Sequence, residues 1–203
     1  MLFRSGYCRA GLGDEAEALA LYQKAEKADS AYCFPNRIWD LLVLEDCRRR
    51  LPGASMASYY LGLLLYYKRQ YAEARDCFRA AIAGRPELAA AHRCLAIYLF
   101  NKEGEGKAAL AEMEKAFSLS AGDARILLEL DQLHKKAGAA PEERLARLEA
   151  HLPLTESRDD LYTEYITLLN LTGQWEKALG CLEGRRFHPW EGGEGKVTSQ
   201  YVF

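Results

Sequence analysis

The stretch SMASYYLGLLLYYKRQYAEARDCFRAAIAGRP runs from Ser55 to Pro86 and decides the fold. Counted from Ser55, Leu61 and Gly62 stand at positions 7 and 8, and Ala74, Phe78, Ala81 and Pro86 stand at 20, 24, 27 and 32. Small residues at 8, 20 and 27 let two helices approach closely, and Leu61, Phe78 and the tyrosines at 66, 67 and 71 fill the gaps between them. Pro86 has no N–H with which to continue a helix, so it ends the second one. Outward from this unit the phase propagates. Ala74, Ala109, Glu143 and Ala178 occupy one position at spacings of 35, 34 and 35 residues.

This pattern resembles the tetratricopeptide repeat, a helix-turn-helix unit with a period of about 34 residues. The resemblance implies an all-α tetratricopeptide-repeat α-solenoid, a right-handed superhelix of antiparallel helix pairs stacked on their neighbours. A third unit, Ala89–Gly122, carries Leu95, Ala96, Leu99, Ala109, Met113 and Ala116, with one extra residue near Gly104-Glu105-Gly106. The fourth, Asp123–Pro153, is degenerate. Glu143 replaces its small residue, and Pro141 opens its second helix from the first turn. In the fifth, Gly173 to Leu179 reads as the turn between the two helices. Upstream, Gly13 to Ala18 with Tyr22 and Ala25 reads as a second helix whose partner begins before Met1. A further helix over Asn36–Arg50 lies between Pro35 and Pro52, and Pro52 precedes Pro86 by 34 residues. Either Asp14–Ala28 or Ser30–Pro35 pairs with it. No segment alternates as a strand.

The division that follows is a repeat array over 6–185, first repeat truncated, and a Pro/Gly-rich loop over 186–203 that opens a truncated further helix. Met1–Ser5 precede the first recognisable helix. Leu-Phe-Arg-Ser is also the translation of a sequencing-adapter end, CTCTTCCGATCT, so this stretch is either a non-native remnant or a natural start. An array cut at both ends leaves Leu12, Leu19 and Tyr22 partly bare and the tail beyond Gly192 disordered or packed on itself.

In the 203 residues, 27 Lys and Arg stand against 29 Asp and Glu. So even a balance lacks the basic excess of a nucleic-acid binder. The longest apolar run, Tyr59–Tyr67, is far short of the roughly 20 residues that span a bilayer, and no signal segment opens the chain. The cysteines at 8, 33, 47, 77, 94 and 181 form no CxxC pair and sit mostly within helices. They read as reduced, small hydrophobic residues of a cytoplasmic protein. The histidines at 92, 134, 151 and 188 show no metal spacing, and no phosphate loop or nucleophile elbow is present. Neither metal nor cofactor is implied. Of the paired carboxylates, Glu191 and Glu194 come nearest to a glycosidase pair.

Two segments fall outside the repeat. Ala31-Tyr32-Cys33-Phe34-Pro35-Asn36-Arg37 clusters rings in a connection, where Phe34 is expected as a hydrophobic staple of the next helix. Arg185 to Lys196 holds Phe187, His188, Trp190, Arg186, Glu191 and Glu194 around Pro189 and three glycines. It is either a capping loop with its Trp folded on the preceding helix or a binding loop for sugars, peptides or a docked domain.

Several stretches are similar to one bacterial family: Phe34-Pro35-Asn36-Arg37, Tyr60-Leu61-Gly62, Ala91-His92-Arg93-Cys94, Leu130-Asp131-Gln132-Leu133, Arg158-Asp159-Asp160-Leu161-Tyr162, and above all Arg186 to Lys196. That family joins the domain of unknown function 5107 to C-terminal tetratricopeptide repeats. The resemblance implies a fragment of a larger, carbohydrate-related protein whose N-terminal part is a β-sandwich. The leading expectation is a non-enzymatic interaction scaffold for a protein or peptide segment, foremost the parent's own N-terminal domain. From repeat phase, Tyr59, Tyr66 and Arg93 face the groove, with His92 beside them. The alternative is an accessory part of a carbohydrate-active enzyme, with Arg186 to Glu194 completing the sugar site.

Overall fold

The computed structural model describes residues 2–28 and 33–202. Ala31 and Tyr32 of the ring-rich connection lie outside the described residues, as do Met1 and Phe203. Among the described residues all regular structure is helical. They fall into two compact units, Met1–Leu119 and Ser120–Phe203. The first holds α1 (Leu2–Gly11), α2 (Glu15–Glu26), α3 (Ile38–Arg50), α4 (Ser55–Tyr67), α5 (Tyr71–Gly84), α6 (Ala89–Tyr98) and α7 (Gly106–Leu119). The second holds α8 (Ala124–Lys136), α9 (Pro141–Ala150), α10 (Leu152–Glu156), α11 (Asp159–Leu171), α12 (Trp175–Glu183) and the short α13 (Lys196–Ser199).

In the first unit α1 packs on α2, α4 on α5 and α6 on α7. Glycine sets how close two of these pairs come. A Cβ on Gly62 would sit 2.6 Å from the Phe78 ring, and one on Gly6 would sit 2.6 Å from the Tyr22 ring. Each aromatic therefore lies flat on a bare helix backbone. Because Gly6 and Tyr22 repeat the geometry of Gly62 and Phe78, α1 is the first helix of the first pair. Leu2–Ser5, expected ahead of the first recognisable helix, lie within α1. Phe3 meets the rings of Tyr22 and Tyr60 at 6.5 and 5.9 Å, and Arg4 bonds Asp40 at 2.7 Å. Tyr22, expected to be partly bare, is wholly buried, whereas Leu12 is exposed.

The helix between Pro35 and Pro52 is α3, and it packs on α1 and α4. Side chains tie it to α2 as well: Tyr22 donates to Asp46 at 2.6 Å and Arg50 pairs with Glu15. Its start is organised by Asp40, which accepts from the Asn36 and Arg37 amides, both at 3.2 Å. Burial pushes the Asp40 carboxyl up, but the bonds from Arg4 and those amides outweigh it and hold the group below its ordinary value. Phe34 is not the staple: it is 75% exposed.

Glu26, at the end of α2, is buried and reaches across the sequence to α4. Its two carboxylate oxygens accept from the amides of Met56 and Ala57, both at 2.8 Å. These amides belong to the first turn of α4, where no intrahelical acceptor exists, and a carboxylate also suits the positive end of the helix. Arg85 donates to the Glu26 carbonyl at 2.9 Å. Between α6 and α7 the extra residue of the third repeat is absorbed by a π-helical turn, Leu99–Glu103. The chain then reverses at Gly104, where φ is 69°.

In the second unit the degenerate repeat has its own solution. Glu143 is exposed and does not take the small residue's place. Arg144 does, and it is 3% exposed. It forks onto Asp131, itself fully buried, at 3.0 and 2.6 Å, and onto Glu164 at 2.6 Å. Lys135 closes the network on Glu164 at 2.7 Å. Thus an ion pair stands where the other repeats bring small residues together. α11 packs on α9 and α12, and Asn170 bonds the carbonyl and side chain of Gln200 at 3.1 and 3.3 Å, so the tail packs on the unit.

Two outcomes follow. Glu26→Ala leaves two helix-start amides without acceptors and lowers stability by about 2 kcal/mol in urea titration, while Lys24→Ala, at an exposed site, is neutral. Asp131→Ala removes two of the three hydrogen bonds of the buried Arg144 guanidinium, leaving Glu164 as its remaining partner, and costs about 3 kcal/mol. A double-mutant cycle with Arg144→Ala returns a strong coupling energy, because the second change removes the charge that the first left with half its partners.

Candidate functional site

The sequence places its candidates on the first helices of the repeats and in the loop after α12. In the first unit, α4 and α6 border an apolar cleft of about 230 Å³ lined by Leu63, Tyr66, Tyr67, Phe78, Cys94 and Ile97. Tyr66 is half-buried and set edge-on to Tyr71, ring centres 5.2 Å apart. Tyr67 is 70% exposed, with the Lys68 ammonium 4.9 Å from its ring centre. Tyr59 and Arg93 are half-buried, and Tyr59 tilts against the Tyr60 ring at 5.4 Å. Neither lines this cleft.

His92 departs from its expected place on the groove or helix surface. It is buried, with Nδ1 2.6 Å from the Glu112 carboxylate and Nε2 2.9 Å from the Pro86 carbonyl. Both ring nitrogens face acceptors from the same unit, so the imidazole joins α6 to α7 and to the turn before it. Position 4 of the helix points inward in this repeat, and an aromatic ring with two polar edges fits there because both edges find partners.

In the second unit one carboxylate, Asp159 at the first turn of α11, gathers the start of the loop. It bonds Arg185 through Nε at 2.7 Å, and accepts from the His188 amide at 2.8 Å, with His188 Nδ1 at 3.2 Å. Arg185 also donates to the Glu156 carbonyl at 2.6 Å and lies over the Tyr162 ring at 4.8 Å. Phe187 stacks on Tyr162 at 6.2 Å. Burial raises the Asp159 carboxyl, yet the His188 and Arg185 bonds prevail and hold it below the usual carboxylate range. The loop is therefore pinned at 185–188 and turns back at Trp190, whose indole fills the space where a Cβ of Gly193 would fall.

Beyond the pin, Trp190 and Glu191 wall a polar cleft of about 360 Å³ with Gln132 and Lys135 of α8, Thr163, Glu164 and Thr167 of α11, and Lys196. On its other side Trp190 shares a smaller hollow with Phe187, His188, Pro189, Glu194 and Val197. The start of the loop is thus fastened to α11 by Arg185, Phe187 and His188 rather than by its Trp, and Trp190 and Glu191 border open space. Arg186 and Glu194 are exposed. Sequence reasoning missed Asp159 as the organiser of the loop, and with it Arg185. It also missed Lys135 and Glu164. The available signal was Asp131 at position 8 of the fourth repeat, where this pattern otherwise places a small residue, with Arg144 one residue after position 20.

No disulfide joins the cysteines, and no group of three metal-ligating side chains occurs among the described residues. Among the same residues no helix is long and apolar enough to cross a membrane.

With this geometry the comparisons agree. The family model for the tetratricopeptide repeat matches residues 1–29 and 56–87, the pairs α1–α2 and α4–α5. The chain carries tetratricopeptide repeats, and its fold is the all-helical tetratricopeptide α-solenoid. Among solved structures it is similar to YrrB, described as a TPR protein with an unusual peptide-binding site. The identity is 18% over 99% of this chain and 85% of that one, at a TM-score of 0.56. It is similar to MamA at 14% identity over 97% and 94%, TM-score 0.57. A thermophilic TPR protein of Thermus thermophilus, TTC0263, matches at 16% identity over 100% and 98%, TM-score 0.52.

The pin gives a prediction in pH. A carboxyl whose folded value lies below its unfolded one stabilises the loop fully above about pH 4 and ceases to as pH falls through the lowered value. The protection of the His188 amide relative to a free chain at the same pH therefore falls only below about pH 4, and Asp159→Asn lowers it about 10-fold or more at neutral pH.

Proposed function

We propose that this chain is a non-enzymatic protein–protein interaction scaffold that takes an extended protein segment along the first helices of its repeats. The observation that carries this reading is the cleft between α4 and α6. Tyr66 and Ile97 are half-buried and Tyr67 is exposed, leaving apolar surface of a size that takes one or two side chains. Tyrosine contributes large, rigid contact area at low entropic cost, which makes a tyrosine-lined cleft suited to anchoring a partner's apolar side chain. The peptide-binding site named for YrrB lies in the same fold and supports the reading by analogy.

The partner class we propose is a protein or peptide segment, and the first to test is the N-terminal domain of the family resembled in sequence. Completion of a sugar site by the Trp190 loop is the weaker reading. Glycoside hydrolysis needs one carboxyl whose pKa is raised by a desolvating pocket, and Glu191 and Glu194 are both exposed.

Calorimetry with that domain, and selection of binders from a displayed random-peptide library, test the proposal directly. Tyr67→Ala and Ile97→Asp are expected to weaken a selected peptide about 10-fold or more, with little loss of melting temperature for Tyr67→Ala. Selection that yields no peptide, or peptides indifferent to both changes, overturns the assignment of this cleft.

A further inference from the structure

The turns after α1, α4, α8 and α11 are closed by the same two backbone bonds. After α4 the Arg69 amide donates to the Tyr66 carbonyl at 3.0 Å and the Gln70 amide to the Leu65 carbonyl at 2.9 Å. The same offsets recur with Gly13 and Asp14 at 3.0 Å each, with Gly138 and Ala139 at 3.1 and 3.0 Å, and with Gly173 and Gln174 at 3.1 and 2.8 Å. This is the left-handed close of a helix, which glycine adopts without steric cost. φ is 83°, 82° and 77° at the three glycines and 63° at Arg69, where a side chain is present. Among the described residues no other non-glycine residue has a positive φ.

The turn gives no reason for an arginine. Its backbone bonds are those of the glycine turns, and among the described residues the exposed Arg69 guanidinium has no carboxylate, carbonyl or ring as partner. A side chain kept in a strained backbone state that the fold does not use points to a role outside the fold.

Arg69 follows the helix that borders the tyrosine cleft, and it is not the only cation there. The Lys68 ammonium lies 4.9 Å from the centre of the Tyr67 ring, which lines the cleft. In the turn after α6 the Lys102 ammonium lies 3.9 Å from the centre of the Tyr71 ring, which meets Tyr66 edge-on. Among the described residues neither ammonium pairs with a carboxylate. Glu103, beside Lys102, accepts from Arg75 and from the Tyr98 hydroxyl at 2.9 and 3.0 Å, and the exposed Glu73 and Glu105 pair with none of the three cations. An apolar cleft with cations at its rim fits a ligand of mixed character. Its apolar side chain supplies affinity, and a carboxylate beside it supplies register and speeds encounter.

We infer that the segment seated in this cleft carries an internal Asp or Glu beside its apolar anchor, and that Arg69, with Lys68 and Lys102, reads that carboxylate. The inference rests on the cleft being the binding site, and the experiment separates the two. Peptides selected on the full chain from a displayed random library are measured by calorimetry at about 50 and about 500 mM salt. An acidic residue next to the apolar one is expected in the selected peptides, with affinity about 10-fold weaker at the higher salt. Changing that acid to its amide, or Arg69→Gly in the protein, should each weaken binding about 3-fold or more. Arg69→Gly should leave the melting temperature unchanged or raise it by about 1–3 °C, since it relieves the turn. Peptides that depend on Tyr67 but carry no acid, or that ignore both salt and Arg69→Gly, overturn the inference and leave the cleft as the binding site. A lowered melting temperature for Arg69→Gly also overturns it, because the arginine then serves the turn. A selection that yields no peptide dependent on Tyr67 overturns both readings.

Discussion

The distance between two helices of a pair is set here by a ring lying on a helix that has no side chain beneath it. Gly62 under Phe78 and Gly6 under Tyr22 are the same contact in two repeats. It brings the backbones of α4 and α5, and of α1 and α2, close enough for Ala18, Ala25, Ala74 and Ala81 to be buried with almost no accessible surface. An added methyl on either glycine would meet aromatic atoms well inside van der Waals contact, and a close-packed interior has little room to yield. Everything placed outside the pairs, including the tyrosines that border the cleft of the first unit, inherits its position from that closeness.

The second unit reaches the same end with charge. Asp131 and Arg144 occupy positions where small residues would otherwise meet, and their two hydrogen bonds, with Glu164 and Lys135 beyond them, replace the missing close approach. Burial pushes the Glu164 carboxyl up, but Lys135 and Arg144 more than offset it and keep the group below its ordinary value. A buried pair of this kind contributes less to stability than well-packed apolar residues do, but neither member tolerates loss of the other. It also sets Glu164 and Lys135 at the edge of the polar cleft. One network therefore holds the repeat together and charges the surface next to it.

The insertion that interrupts the array is bridged by polar contacts rather than by extra core. Glu26 caps α4 from the end of α2, Asp40 organises the start of α3 and receives Arg4, and Asp46 holds Tyr22, Arg49 and Arg50. Asp40 and Asp46 thus fasten α3 to α1 and α2, while Glu26 ties α2 directly to α4. The loop after α12 follows the same rule, with Asp159 as its fastening point. In both places a tryptophan lies next to the fastened segment, exposed Trp39 on α3 and half-buried Trp190 in the loop.

The repeat phase, with proline at helix boundaries and glycine or alanine at the crossings, was legible because it is a local, periodic steric requirement. It yields the fold class and the pairing of α4 with α5 and of α6 with α7 from residue identity alone, and it reaches Gly6 and Tyr22 once the same offset is applied. The same phase put Tyr66 among the expected groove residues, whereas it makes Tyr67 only a filler between helices, and Tyr59, expected beside Tyr66, does not line the cleft. What the sequence did not contain was any rule for partners distant along the chain. Nothing in the neighbourhood of Glu26 announces a helix start thirty residues later, His92 looks like a surface residue until Glu112 and Pro86 close around it, and Phe34 looks like a staple until α3 turns it outward. Such contacts are chosen when folded helices bring buried donors and acceptors within hydrogen-bonding distance, since an unpartnered polar group in the interior costs more than the bond itself contributes. Periodicity specifies which helices touch, and tertiary structure alone decides which charges meet.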